Sequence, residues 1–172
     1  MRFYELEALC ALGEQELVMQ EIKDYWGGML REGATSFWEK YNPEETGTQH
    51  LAMYGRPYGK SLCHAWGASP IYLLGKYYLG VTPEEGGYRE FRIAPNLGGL
   101  KWMEGSVPTP NGDISVYMDT SHIKVKAGEG KGYLYFTSRK TPKSNIGKVE
   151  KLGGNQYRLR IDTKDEVRVS YR

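Results

Sequence analysis

The chain has 172 residues, of which 40% are apolar and 13% aromatic, with a net charge of +2. That composition excludes a disordered chain, and the length suits one ordinary domain or two small ones. No stretch of 18 apolar residues occurs, so no membrane-spanning helix is expected, and no basic-then-apolar leader opens the chain.

The charge is unevenly spread. Residues 1–85 hold 7 Lys/Arg against 12 Asp/Glu, whereas residues 86–172 hold 16 against 9. Such a split predicts two differently built segments. In the basic half the cations alternate with apolar residues: Lys124 and Lys126, Arg158 and Arg160, Arg168 and Arg172. This is the pattern of a solvated sheet face, so no nucleic-acid partner is expected.

Phe3, Leu6 and Cys10 recur at helical spacing and predict a first helix, which Gly13 ends. A second helix is predicted from Glu14 to Arg31, with Val18, Ile22, Tyr25 and Met29 in one stripe that Trp26 and Leu30 widen. The short connection makes the pair an antiparallel hairpin. Lys40 to Lys60 then has no apolar period, and its Tyr41, His50, Met53, Tyr54 and Tyr58 predict an ordered loop lining a site. A third helix is predicted from Ser61, a candidate N-cap, to Gly80. Pro70 must break it, kink it, or start a second segment capped by Ser69. Both cysteines, Cys10 and Cys63, sit in helical apolar surroundings and are expected as buried free thiols.

After a Pro-Glu-Glu-Gly-Gly linker near residues 81–87 the period falls to two. Ile114, Val116 and Met118, then Ile123, Val125 and Ala127, then Tyr157, Leu159 and Ile161, then Val167, Val169 and Tyr171 alternate with polar residues. Asn111-Gly112 and Gly153-Gly154-Asn155 supply hairpin turns. The expected fold class is α+β: helices over residues 1–83, then an antiparallel β-sandwich over residues 84–172. The chain opens inside an amphipathic pattern. It therefore reads as cut at its front, with helix faces that self-association or missing neighbours would cover.

Candidate chemistry concentrates between Gly33 and Gly67. Glu39 follows Phe37 and Trp38 at the mouth of the long loop, and His64 and Trp66 stand three to five residues beyond Ser61. A carboxylate beside tryptophan in a partly dry pocket can hold and polarise a water, as a general base must. Taken alone, Glu39 reads more readily as a solvated helix-end or capping acid and His64 as a satisfied interior imidazole. No metal-ligand spacing joins His50, His64 and His122, and Gly128-Glu129-Gly130-Lys131-Gly132 is a turn between strands rather than a phosphate cradle. No metal or organic cofactor is expected.

Three stretches carry a family likeness: Gly33-Ala34-Thr35-Ser36-Phe37-Trp38-Glu39, Ser61-Leu62-Cys63-His64-Ala65-Trp66-Gly67-Ala68-Ser69-Pro70, and Asn96-Leu97 through Gly105-Ser106-Val107-Pro108 to Asp113. They resemble the bacterial α-L-rhamnosidases of glycoside hydrolase family 78, at the end of the (α/α)6 barrel and in the C-terminal β-sandwich. The resemblance implies that Glu39 is the general base of an inverting hydrolysis and that His64 contacts the sugar, with Trp38 and Trp66 as pocket walls or barrel core. The implied substrate is a glycoside or polysaccharide bearing terminal rhamnose. The family's general acid lies far upstream and has no counterpart here, so this chain alone is expected to be inactive. The alternative is a non-catalytic module whose β-sandwich binds carbohydrate or packs on other domains.

Overall fold

A computed structural model describes residues 2–162 and 164–171. The chain forms two compact units, Met1–Tyr72 and Leu73–Arg172.

In the first unit, helix α1 (Arg2–Ala11) buries Leu6 and Cys10, one turn apart. Helix α2 (Gln15–Glu21) continues without a break through a wider π turn (Ile22–Trp26) into α3 (Gly27–Arg31). The two arms run antiparallel: Arg2 pairs with Glu21, and its guanidinium lies 4.4 Å over the Tyr25 ring. At the end of α1 the Gly13 and Glu14 amides donate to the Cys10 and Leu9 carbonyls, at 3.1 and 3.0 Å. Gly13 has φ +93°. This left-handed stop satisfies carbonyls that the helix end would otherwise orphan.

The expected stripe is corrected at Leu30, which is 69% exposed. Trp26, Gly28 and Met29 are the buried residues past Glu21, so Met29 keeps its place on the stripe and Leu30, one residue on, lies beyond its edge.

The helix expected from Ser61 begins only at Ser69, as α4 (Ser69–Leu73) running into a second π turn (Leu74–Tyr78). Proline has no N–H to donate and its ring clashes with the preceding turn, so Pro70 is accommodated in a first turn and not inside a helix. The preceding stretch holds a single 3-10 turn, Ala65–Gly67. Cys63 accordingly lies outside any helix and is exposed, contrary to the expected buried thiol. Cys10 is buried, which pushes its thiol up to about 11, with Glu7 adding to the shift.

The second unit is a two-sheet sandwich. One sheet has the order β1-β2-β6-β9-β8, built from Val81–Pro83, Glu90–Ile93, Lys131–Thr137, Gln156–Ile161 and Glu150–Gly153. The other has the order β3-β4-β5-β10-β7, built from Trp102–Val107, Ile114–Asp119, His122–Lys126, Val167–Ser170 and Lys143–Ser144. Val81–Pro83, at the start of the stretch read as a linker, is thus the sandwich's first strand. Alternation places Phe91, Ile93, Leu134, Leu159 and Ile161 of one sheet in a shared core with Ile114, Val116, Ile123, Val125, Val167 and Val169 of the other. Lys124, Lys126, Arg160 and Arg168 face solvent; Arg172 lies outside the described residues.

The expectation of a purely antiparallel sandwich is corrected at one place: β2 and β6 pair in parallel, with Phe91 opposite Gly132. Strands β3, β4 and β5 belong to the other sheet and intervene between them. They supply the long crossover that a parallel pair requires. Among the described residues, no helix is long and apolar enough to cross a membrane.

Candidate functional site

The site candidates all belong to the first unit. Helix α3 stops at Gly33 (φ +86°), where the Gly33 and Ala34 amides donate to the Leu30 and Met29 carbonyls at 3.0 Å each. Beyond it the chain is irregular and borders residues 61–64. The Glu39 amide donates to the Ser61 carbonyl (2.9 Å), the His64 amide to the Phe37 carbonyl (2.8 Å), and the Ser36 hydroxyl to the Leu62 carbonyl. Trp26 Nε1 donates to the Gly67 carbonyl at 2.7 Å. A Cβ on Gly67 would fall 2.6 Å from the Trp38 carbonyl oxygen, so only glycine permits this approach. The two motifs, distant in sequence, are thereby held side by side.

The loop over residues 40–60 is organised around His50, which is 2% exposed. Tyr41 stacks on its imidazole (5.6 Å between centroids, 8° between planes), and Trp38 lies at 6.0 Å. The carboxylates of Glu32 and Glu45 approach the two imidazole nitrogens at 3.6 Å each. Lys60, with its side chain buried, donates to Glu45 at 3.1 Å. Trp38 is therefore part of the loop's interior, 6% exposed.

Glu39 sits at the rim of this cluster. Its Oε1 accepts from the Tyr54 hydroxyl, and its Oε2 accepts from the Ser61 amide at 3.1 Å. The Tyr54 hydrogen bond chiefly, then the Ser61 amide, with smaller help from the charges of His64 and Lys60, holds the carboxyl below its ordinary pKa. The same hydrogen bond pushes the Tyr54 phenol up, so the shared proton stays on tyrosine. One donor per oxygen leaves a lone pair on each for a water. An ionised carboxylate with accessible lone pairs can take a proton from that water.

His64 precedes the 3-10 turn in extended backbone (φ −118°, ψ 113°), five residues before α4 and not in the helix expected to carry it. Its ring meets Trp66 edge-on, 6.3 Å between centroids. Trp66 is 84% exposed. The fold thus brings Glu39, Tyr54, Ser61, His64 and Trp66 into one neighbourhood and turns Trp38 inward. The contacts from Tyr54 and the Ser61 amide were not legible in advance: Ser61 carried a helix-cap signal, and Tyr54 lies in a turn of unusual composition.

Another perturbed carboxylate, Asp119, ends β4 and faces the β4–β5 turn of the sandwich. Burial alone would raise its pKa, but the amides of Ser121 and His122 and the hydroxyls of Ser121 and Tyr117 prevail and bring it to about 2. These partners close a hairpin, and their role is structural. Among the described residues, no three His, Cys, Asp or Glu side chains are placed to hold a metal ion.

Comparison with known proteins bears on both units. Residues 80–126 match the bacterial alpha-L-rhamnosidase C-terminal domain. An alpha-L-rhamnosidase of Alteromonas sp. (strain LOR) is 36% identical over 104 residues, which span 59% of this chain and 11% of that protein. The crystal structure of a family 78 rhamnosidase of Bacillus sp. GL1 is 38% identical over 68% of this chain and 12% of its own, with a TM-score of 0.56. The alpha-L-rhamnosidase of Streptomyces avermitilis, solved in complex with L-rhamnose, superposes over 86% of this chain and 15% of its own. Its TM-score is 0.68 at 15% identity, a likeness of fold. The chain therefore spans roughly a tenth to a seventh of the length of these relatives.

Proposed function

We propose, from the kinship of this chain with the C-terminal part of the bacterial α-L-rhamnosidases, that it supplies the general base of an inverting glycosidase acting on terminal α-L-rhamnose. In this reading residues 1–83 are the last helices of an (α/α)6 barrel and residues 84–172 the β-sandwich that follows it. Glu39 takes a proton from a water as that water attacks the anomeric carbon. A carboxylic acid outside this chain protonates the departing oxygen from the opposite face, with room between the two groups for the water. His64 and Trp66 border the sugar, and Trp38 stiffens the segment that carries Glu39.

The observation that carries the reading is the geometry of Glu39, whose two oxygens accept from the Tyr54 hydroxyl and the Ser61 amide, contacts that hold the carboxyl below its ordinary pKa. Without the partner acid and the rest of the pocket, the 172 residues alone are inactive; loss of a general acid by itself typically removes ~10²–10⁴ in rate.

The test uses an aryl α-L-rhamnoside and two proteins, this chain and a longer one in which the remaining barrel helices precede it. The expected result is turnover by the longer protein only, reduced ~10²–10⁴-fold by Glu39→Gln. Full activity in the Glu39→Gln protein would remove the base assignment, and turnover by this chain alone would remove the claim that it lacks an essential group.

A further inference from the structure

We propose that Tyr54 is a positioning residue for Glu39, delivered to the carboxylate by the corner of a two-residue hairpin and fixing the direction in which the free lone pairs point. The inference rests on the reading of Glu39 as the base.

Met53 and Arg56 exchange both backbone hydrogen bonds, at 3.0 and 2.9 Å, as the end residues of a tight hairpin. The corner residues Tyr54 and Gly55 have φ +55° and +71°. Two successive positive φ values define a type I′ turn, whose first corner position ordinarily takes Asn, Asp or Gly. Tyrosine lacks the short polar side chain that helps Asn and Asp adopt this backbone. Packing offers no alternative reason for it, since Tyr54 is 71% exposed. What the turn achieves is the placement of the phenol on Glu39 Oε1, while the Ser61 amide occupies Oε2. Backbone strain retained beside a candidate reactive group marks a function when the strained residue touches that group, as here.

The two donors come from different parts of the chain, one from the loop and one from the segment carrying His64. Together they fix the plane of the carboxylate. A free glutamate samples several rotamers; a carboxylate held at both oxygens keeps its remaining lone pairs in one direction, which is what proton abstraction from a positioned water requires. Because a phenol at neutral pH donates and so favours the charged carboxylate, it also keeps the base ionised into mildly acidic conditions.

The experiment measures the Glu39 carboxyl titration by carbon-detected NMR in this chain, in Tyr54→Phe and in Tyr58→Phe. Tyr58 is a neighbouring exposed loop tyrosine, 77% exposed. Tyr54→Phe should raise the Glu39 midpoint with an unchanged circular dichroism spectrum, and Tyr58→Phe should leave it in place. An unchanged midpoint in Tyr54→Phe would overturn the proposal. In the longer, active protein Tyr54→Phe should lower kcat about tenfold with little change in KM, and should move the acid limb of the kcat/KM profile to higher pH. A KM effect alone, with the acid limb unmoved, would also overturn it. The two readings fail separately. If Glu39→Gln retains activity, the base assignment fails whatever Tyr54 does. If Glu39→Gln is inactive while Tyr54→Phe leaves both titration and pH profile unchanged, only the positioning role fails.

Discussion

Replacing Gly67 by alanine probes the contact that joins the two motifs. The added methyl would stand 2.6 Å from the Trp38 carbonyl oxygen and 3.3 Å from Phe37 Cβ. The first neighbour is backbone and cannot rotate away, so the 61–67 segment must move off the 37–39 segment. Backbone hydrogen bonds from Glu39 to Ser61 and from His64 to Phe37 span that junction, as do those from the Ser36 hydroxyl to Leu62 and from the Ser61 amide to the Glu39 carboxylate, and Trp26 of the helix ties down Gly67 itself. Overpacking costs about 1–3 kcal/mol, and the reduced freedom of the unfolded chain returns about 0.4–1 kcal/mol. With one of these bonds weakened, at about 0.5–1.5 kcal/mol, the net loss is about 2 kcal/mol. Urea unfolding followed by tryptophan fluorescence reads it well, because Trp26, Trp38 and Trp66 all lie in the first unit and Trp102 alone in the second. Gly86→Ala serves as control, since a Cβ there meets nothing within 4 Å and φ is not positive. An unchanged or raised midpoint in Gly67→Ala would refute the close junction on which the site's geometry depends.

The loop interior should respond asymmetrically to loss of charge. Glu45→Gln leaves the buried Lys60 ammonium without its anion and should cost about 1–3 kcal/mol in urea unfolding, whereas Lys60→Met, which removes the buried charge itself, should cost less; equal losses would contradict a buried pair. Acid should weaken the sandwich through Asp119. Its folded pKa of about 2 lies below the ordinary 3.8, so its contribution is complete above pH ~4 and is lost as pH falls toward 2. That contribution is about 2 kcal/mol, and Asp119→Asn should flatten this part of the stability–pH curve. An aromatic disulfide reagent should label the exposed Cys63 promptly and reach the buried, protonated Cys10 only on unfolding; equal rates would contradict the burial of α1.

The β-half was legible because its alternation is strict and one face of each strand is buried. Ile123 and Val125, or Leu159 and Ile161, can occupy only one face, and the turns at Gly112 and Gly153–Gly154 have the positive φ their glycines suggest. The parallel β2–β6 pair was not legible, since it follows from which sheet the intervening strands join, a choice that local pattern does not encode. In the helical half, periodicity gave the helices but neither the π turn at Ile22–Trp26, because one added residue leaves composition unchanged, nor the exposure of Leu30 at the stripe's edge. Pro70 announced the break in the third helix, yet the start at Ser69 left His64 and Cys63 in irregular chain. For the site, the Trp38-Glu39 and His64 motifs were visible as sequence and their lateral pairing was not. The Tyr54 contact depends on a hairpin corner that tyrosine rarely occupies, so no dipeptide signal marked it.

The most direct test of Glu39 as the base is anion rescue of Glu39→Ala in the longer protein, with an activated aryl α-L-rhamnoside and added azide. If Glu39 serves only to activate water, azide, which needs no deprotonation, should attack the anomeric carbon from the vacated side while the aryl oxygen departs with its bonding electrons. The predicted product is the β-L-rhamnosyl azide, formed at a rate that rises with azide concentration. An azide-independent rate, or an azide product of retained α configuration, would contradict the assignment.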